Sequence, residues 1–461
     1  MKRRIREILA VAVVWAVAVP VGAQTPEALP TPVVLTLSDC IQKALANSPG
    51  MEAAEFEREV VEGKLGEAKS AYFLPEIKFR ALGGPVPDLP NGSGPPNFPN
   101  VDTQLSELGP FFQLRIEAVQ PLFTFGKLSN LKEAARHGVQ AKKDQERVVR
   151  NELIRKTKGV YLGLSYLYSL KEFLLELQDR SQKARERVID QLKHRSADVT
   201  SIDQMRLDVF QGETGRRLSE LNGGIDLGLS ALRILTGIPS TTPIDIADRM
   251  IRFRNVELKP VDYYLDRART SRPEVHQLTE AVAIKRSILN SQKAEFLPTF
   301  FLGGFYGYGI APGRQKVDNP FLVDSFNYSS GGLAFGLEQK LGFHLTSSRT
   351  DQARADYHAT LAQQRLAMQG IELQIRKAYS DVVSKREGVK SGENAFKAGR
   401  SWVMATTLNF GVGLVPVKDL LEAFVAYSKV KAGYYDVIHD YLAAVADLSR
   451  ALGEEVTDLA Y

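Results

Sequence analysis

The sequence lacks several features that would set its class at once. It has one cysteine in 461 residues, Cys40, so an intramolecular disulfide is impossible and a buried apolar role is expected for this side chain. Beyond the N-terminus, no stretch is apolar over the ~20 residues that a membrane-spanning helix needs. No Walker sequence or nucleophile elbow occurs, and the six histidines show no metal-ligand spacing. We therefore expect no catalytic residues, no metal and no cofactor.

An excess of one charge is also lacking. The formal net charge is +5, but residues 1–23 supply three of these five charges, so the rest of the chain is nearly neutral and no nucleic-acid partner is expected. Basic residues at 2–6, an apolar run at 8–19 and small residues at 21–23 predict a signal peptide over residues 1–23. The alternative, a retained anchor, would need a longer apolar run. Residues 24–36 are rich in proline and threonine and are predicted to be extended.

Proline is missing from two long windows, residues 122–238 and 321–415. Within them, apolar residues recur at steps of three and four, as in a heptad seam. One such run comprises Met368, Ile371, Ile375, Ala378 and Val382. The longest predicted helices would reach roughly 100 Å at ~1.5 Å per residue, so they require lateral packing against other helices. The predicted helices are 127–195, 202–236, 345–410 and 417–452, which form two helical hairpins, about 127–236 and 345–452.

In four short segments, apolar residues recur at every second position, which is typical of strands. In the first of them, Ile77, Phe79 and Ala81 alternate with Glu76, Lys78 and Arg80, so one face is apolar and the other is charged. The predicted strands are about 76–82, 111–120, 299–308 and 331–340. Loops rich in proline and glycine are predicted over residues 83–100 and 309–320.

The chain contains an internal duplication. Ala71–Pro75 returns as Ala294–Pro298, each followed by two strands and a helical hairpin. The period is too long for a solenoid unit. We therefore divide the chain after its extended segment into a first repeat, 37–245, and a second repeat, 246–461.

Four strands can cross an outer membrane but cannot close a barrel, and an open sheet edge is untenable in hydrocarbon. Three copies would supply twelve strands, with the charged face lining the lumen, and would bring the hairpins together below the barrel. The predicted fold is thus mostly α with a membrane β-barrel. Each protomer adds four strands and two long hairpins, in two tandem repeats, to a trimeric 12-stranded barrel and a periplasmic α-helical tunnel.

From about Leu37 to Gly453 the chain resembles the TolC-type outer membrane efflux protein family. The resemblance rests on the two duplicated units, on Gln120–Gly126 after the second strand and on Asn409–Ala423 at the second hairpin turn. It implies a homotrimer in outer membrane lipid with a tunnel extending into the periplasm. It also implies a periplasmic adaptor and an inner-membrane transporter of RND or ABC type, so the channel would be a passive exit duct for efflux or type I secretion.

The resemblance also implies roles at the hairpin turns. Val412, Gly413 and Leu414 match the tip that adaptors grip, and Asp419 and Glu422 match acidic positions of a periplasmic gate. An ordinary solvated helix face is the alternative for the two carboxylates, and a helix cap is the alternative for the glycine. The first turn departs from the pattern, because Ala197 and Asp198 stand where Gly-Leu is expected. Whether that turn docks an adaptor is left open.

Two other functions fit parts of the pattern. A periplasmic adaptor also contains a long helical hairpin, but it should carry one hairpin rather than two. A structural coiled-coil protein of the envelope would need no barrel strands. The residues do not identify the exported cargo or the class of pump.

Overall fold

The computed structural model describes residues 32–87, 108–194, 199–314, 316, 321 and 323–456. The described chain is mostly helical, and one order of elements, two helices, two strands and two long helices, occurs twice. Strand β1 (Val33–Leu35) is followed by α1 (Leu37–Asn47), α2 (Pro49–Phe73), β2 (Glu76–Pro87), β3 (Leu108–Phe123), α3 (Lys127–Lys193) and α4 (Ser201–Thr236). Strand β4 (Ile244–Ile246) is followed by α5 (Val261–Ser271), α6 (Pro273–Ala294), β5 (Thr299–Ile310), β6 (Tyr328–Glu338), α7 (Phe343–Gly411) and α8 (Val417–Leu452). The signal peptide predicted at residues 1–23 lies outside the described residues.

Strands β2, β3, β5 and β6 form one antiparallel sheet in that order. Directly opposed residues of neighbouring strands lie on the same face, so the register decides which side chains share a face. Phe79 is opposite Ile116, Ile116 is opposite Tyr306, and Leu302 is opposite Phe335. The apolar faces of all four strands therefore coincide. This apolar face comprises Ile77, Phe79, Ala81, Phe112, Leu114, Ile116, Ala118, Phe300, Leu302, Tyr306, Tyr308, Leu333, Phe335 and Leu337.

The apolar face is uncovered within the described chain. Phe79 is 64% exposed, Phe335 67% and Leu333 83%. The opposite face, here called the charged face, places Lys78 opposite Glu117 on neighbouring strands. Among the residues that the structure describes, β2 and β6 each have one neighbouring strand, so both lateral edges of this sheet are open.

The loop after β2 begins later than its prolines predict, because residues 83–87 continue the strand. Pro85 and Pro87 lie in an edge strand, where a missing N–H need not break the ladder. In β3, Pro121 coincides with a register shift before Phe123. Strands β3, β5 and β6 differ from their predicted bounds by at most three residues.

Helices α3 and α7 contain 67 and 69 residues. The α7 seam is buried against α8: Ile371, Ile375, Ala378 and Val382 lie in one apolar cluster, and Met368 packs against it. Helix α4 packs on α3, α3 on α8, and α8 on α7, so the two hairpins form a wall with α4 and α7 at its edges. In the part of the chain that the structure describes, no helix combines the length and apolar character needed to cross a membrane.

Each helical hairpin ends against the start of its own half of the chain. Gly237 ends α4 with φ +69°, and a Cβ there would lie 2.7 Å from the Cβ of Asn47. Gly453 ends α8 with φ +77°, and a Cβ there would lie 2.7 Å from Cδ of Pro273. Both glycines thus combine a left-handed backbone with a contact that excludes a side chain.

Cys40 belongs to a separate small cluster, in which β1 and the parallel strand β4 meet α1, α3 and α4. Its side chain is fully buried, and burial raises the pKa of its thiol to about 12. The thiol is therefore inert at neutral pH and acts as a small apolar group, as predicted.

Candidate functional site: the turn between the second pair of long helices

Helix α7 ends in a defined turn rather than in a frayed coil. The N–H of Gly413 donates to the carbonyl of Phe410 at 3.2 Å, and the N–H of Leu414 donates to the carbonyl of Asn409 at 2.9 Å. These two bonds, with Gly413 at φ +80°, make a Schellman motif. A Cβ on Gly413 would meet no atom within 4 Å, so the backbone angle rather than space favours glycine.

The turn exposes two apolar side chains to solvent. Val412 is 71% exposed and Leu414 is 77% exposed. On either side of them, Phe410 and Val417 are buried in the cluster that joins the two hairpins. The base of the turn is thus fixed by packing, whereas its tip exposes two apolar side chains.

Asp419 and Glu422 occupy the third and sixth positions of α8. Both side chains are exposed, while Leu420 between them is fully buried. Residues three apart lie on one helix face, so the two carboxylates are neighbours there. Neither has a hydrogen-bonding or ion-pair partner among the described residues. The helix N-terminus favours the negative charge of Asp419.

The wall behind the turn is rigidly packed. The ring of Phe210 from α4 stacks on Phe424 from α8, with centroids 5.9 Å apart. Lys431 Nζ lies 4.4 Å from the ring centre of Phe173 and 3.1 Å from Glu176 Oε2. Burial disfavours the charged form of Glu176, but the hydrogen bonds and positive charges of Lys431 and Arg180 together outweigh it and lower the pKa of that carboxyl.

A groove of about 500 Å³ runs beside this packed region, between α3 and α7. Charged residues line one part of it and exposed apolar residues line another. The lining includes Glu176, Arg180, Phe396, Arg400, Met404 and Leu408. Its mixed chemistry resembles that of the rim of a protein–protein contact.

The first hairpin turn is only partly described. Ala197 and Asp198 lie outside the described residues, so the question raised by their departure from the family pattern is not tested. The following helix begins with a capping box, in which Asp203 Oδ2 accepts hydrogen bonds from Thr200 N at 3.0 Å and Thr200 Oγ1 at 2.9 Å. Arg206 pairs with Asp203 at 3.0 Å. This cap is not among the predictions from the sequence, although Thr200 followed three residues later by Asp203 is a readable capping pattern.

The described residues contain no candidate metal site. Within residues 32–87, 108–194 and the later described stretches, no group of three or more His, Cys, Asp or Glu side chains could hold an ion. His137 Nδ1 lies 2.6 Å from Glu280 Oε2, in a contact between α3 and α6 that serves packing.

The comparisons with known proteins agree with this geometry. The family model described as outer membrane efflux protein matches residues 264–454. The alkaline protease secretion protein AprF of Pseudomonas aeruginosa is 24% identical over 335 residues, which cover 71% of this chain and 67% of that protein.

Solved channel structures match nearly the whole chain at low identity. The structure of CusC, a protein described as undergoing conformational changes on folding and transmembrane channel formation, gives a TM-score of 0.74 at 15% identity and covers 94% of this chain and 95% of that one. The open state of the Neisseria gonorrhoeae MtrE outer membrane channel gives 0.71 at 17% identity, covering 91% and 89%. The second half of the sequence is thus similar to the outer membrane efflux protein family, and the fold of the described residues is similar to that of solved outer membrane channels.

Proposed function

We propose that this chain is one subunit of a homotrimeric outer membrane channel whose helices continue as a tunnel into the periplasm. It would act as a passive exit duct, driven through a periplasmic adaptor by an inner-membrane transporter of RND or ABC type. The observation that carries the proposal is the open sheet, with its uncovered apolar face and its two unpaired edges. In hydrocarbon such edges must be paired, and other copies of the sheet can pair them.

The strand directions allow copies of the sheet to pair edge to edge and close a barrel. Its four strands alternate in direction, so β6 of one copy and β2 of the next would pair antiparallel. Three copies would give twelve strands, an even number typical of outer membrane barrels. The apolar face would then contact lipid and the charged face would line the lumen.

The helical wall supports the same closure. Exposed large apolar residues concentrate on its two edge helices, whereas α8 between them exposes only Val425. We propose that α4 of one copy packs against α7 of the next and covers these residues. They include Ile202, Met205, Val209, Leu227 and Ile234 on α4, and Leu366, Leu373, Trp402, Met404 and Leu408 on α7.

We assign two roles to the turn before α8. In a trimer, Asp419 and Glu422 would form two carboxylate rings that attract cations and restrict the periplasmic entrance. Val412, Gly413 and Leu414 would form the adaptor contact, with the exposed apolar pair as its anchors. The division into a signal peptide (1–23), an extended segment (24–36) and two repeats (37–245 and 246–461) is part of the same proposal.

A second candidate for the cargo class comes from sequence similarity. AprF is described as an alkaline protease secretion protein, which favours type I secretion of a protein over efflux of small compounds. Deleting the gene separates the two: loss of one secreted protein from the medium supports secretion, and greater sensitivity to toxic compounds supports efflux.

The channel itself is tested by fractionation and reconstitution. We expect the full chain in the outer membrane as a heat-modifiable trimer that conducts ions in planar bilayers. Recovery as a soluble monomer in the periplasm would contradict the proposal and favour an adaptor. A membrane-associated trimer without conductance would favour a structural coiled-coil protein.

A further inference from the structure

The charged face of the sheet contains two arginines in direct opposition. Arg80 on β2 and Arg115 on β3 are register partners. Directly opposed residues have Cβ atoms ~5 Å apart, and like charges in this position destabilise a sheet. A pair of arginines here therefore costs stability, which suggests that a negative group offsets the repulsion.

The carboxylates nearby do not supply that group. Strands β2 and β3 place three cations and two carboxylates on this face, and each carboxylate already has its own cation. Glu76 pairs with Lys78 at 3.2 Å, and Glu117 pairs with Arg115 at 2.6 Å. Among the described residues, Arg80 has no ion-pair or hydrogen-bonding partner.

More distant carboxylates are screened from this level. Glu338 lies eight residues further along β6 than Ser330, the residue at the arginine level, or roughly 27 Å at ~3.4 Å per residue. That separation exceeds the Debye length of ~8 Å in physiological salt. Within the four described strands, Arg80 is therefore a cation on this face without a carboxylate partner.

The strands next to the two arginines carry small residues at the same level, and one of these residues is covered by an aromatic ring. Arg115 is opposite Gly307 on β5, and Gly307 is opposite Ser330 on β6. The ring of Tyr328 lies over Gly307, since a Cβ there would be 3.0 Å from Tyr328 Cε2. Both arginines are exposed, with 51% of the Arg115 side chain accessible, so their guanidinium groups can reach a solute.

We propose that Arg80 and Arg115 form an anion-binding site in the barrel lumen that takes carboxylate or phosphate groups of solutes in transit. The inference rests on the proposed function, because a lumen exists only in the closed trimer. Three copies would place six guanidinium groups at one level, and rings of arginine are a known means of selecting anions in pores. Guanidinium binds planar oxyanions through two parallel hydrogen bonds, which gives geometric as well as electrostatic preference.

The test measures block of single-channel current by citrate added from the barrel side of the reconstituted full-length channel. We expect citrate to block the parent channel and its half-blocking concentration to rise at least ~10-fold in the double variant Arg80→Gln/Arg115→Gln. The double variant Arg80→Lys/Arg115→Lys keeps the charge but not the paired donors, so it should show intermediate block.

A matched control separates this site from the general charge of the face. The double variant Glu76→Gln/Lys78→Gln removes one anion and one cation from the same strand, and it should leave citrate block unchanged. No block of the parent channel, or equal block in the glutamine variant, would overturn the inference while leaving the channel intact. An absence of conductance in the parent protein would instead overturn the proposed function.

Discussion

The return helices α4 and α8 occupy equivalent places in the two halves of the chain, but the charged residues in their first turns differ. Their third and sixth residues are Asp203 and Arg206 in α4, and Asp419 and Glu422 in α8. In α4 the aspartate is engaged by the cap and by the arginine, and its side chain is 13% exposed. In α8 both carboxylates are exposed and unpartnered within the described chain. The pair at the start of α4 is therefore neutral, whereas the pair at the start of α8 carries two free negative charges.

The difference follows from the residue that precedes each helix. Thr200 offers a hydroxyl and an N–H to Asp203, so the acid at the third position serves the helix terminus. Pro416 stands at the equivalent place before α8 and has no side-chain cap to offer. The acid at the third position of α8 is therefore available to solvent. Of these two pairs, only the one in α8 therefore has free carboxylates for the gate that we propose.

The largest expected effect comes from removing the free carboxylates. Asp419→Ala/Glu422→Ala removes two carboxylates per copy that, as proposed, restrict the entrance, so single-channel conductance should rise several-fold. The same carboxylates attract Mg²⁺, so the half-blocking concentration of Mg²⁺ should rise by ~10-fold. Planar-bilayer recording from the helical side measures both. The control is Asp203→Ala/Arg206→Ala, which removes a neutral pair and should change neither. Equal effects in the two variants would contradict the assignment of the gate to α8.

The second expected effect concerns the backbone of the α7–α8 turn. Gly413→Ala forces an L-residue into a left-handed conformation, which costs ~1–2 kcal/mol and should lower hydrogen-exchange protection of the Leu414 amide by about tenfold. Gly411→Ala is the matched control, because Gly411 is the last helical residue of α7 and has no positive φ. Protection that survives in Gly413→Ala would show that the turn tolerates another geometry, and adaptor docking should then survive as well.

Much of this architecture was readable before the structure. The heptad spacing from Met368 to Val382 identified the seam of α7, because burial of a helix face repeats every three or four residues. Alternation identified the faces of each strand. It could not show that Arg80 faces Arg115, because register depends on how separate strands pair in space. Pro85 misled the loop prediction because proline is unfavourable in a central strand but acceptable at an edge.

The first hairpin offers a smaller test of the same contrast. Thr200→Ala removes the hydroxyl partner of Asp203 and should destabilise the first turn of α4 by ~1 kcal/mol, while Thr200→Ser should retain the cap. Hydrogen exchange at the amides of residues 201–204 measures the change, and conductance should stay the same in both variants. Unchanged protection in Thr200→Ala would mean that the backbone N–H of residue 200 and Arg206 hold Asp203 without the hydroxyl, and the contrast with α8 would then not depend on the threonine side chain.

The smallest expected effect comes from giving the first turn the charge pattern of the second. Arg206→Glu removes the 3.0 Å pair with Asp203 and places a carboxylate at the sixth position of α4, as in α8. Asp203 stays tied to Thr200, so only the new carboxylate is fully free, and Mg²⁺ block should strengthen by ~3-fold, or ~0.7 kcal/mol. Arg206→Gln removes the positive charge alone and should give a smaller change of the same sign. If Arg206→Glu matched the full strength of the α8 carboxylates, the cap would not restrain Asp203, and the two turns would differ only in sequence.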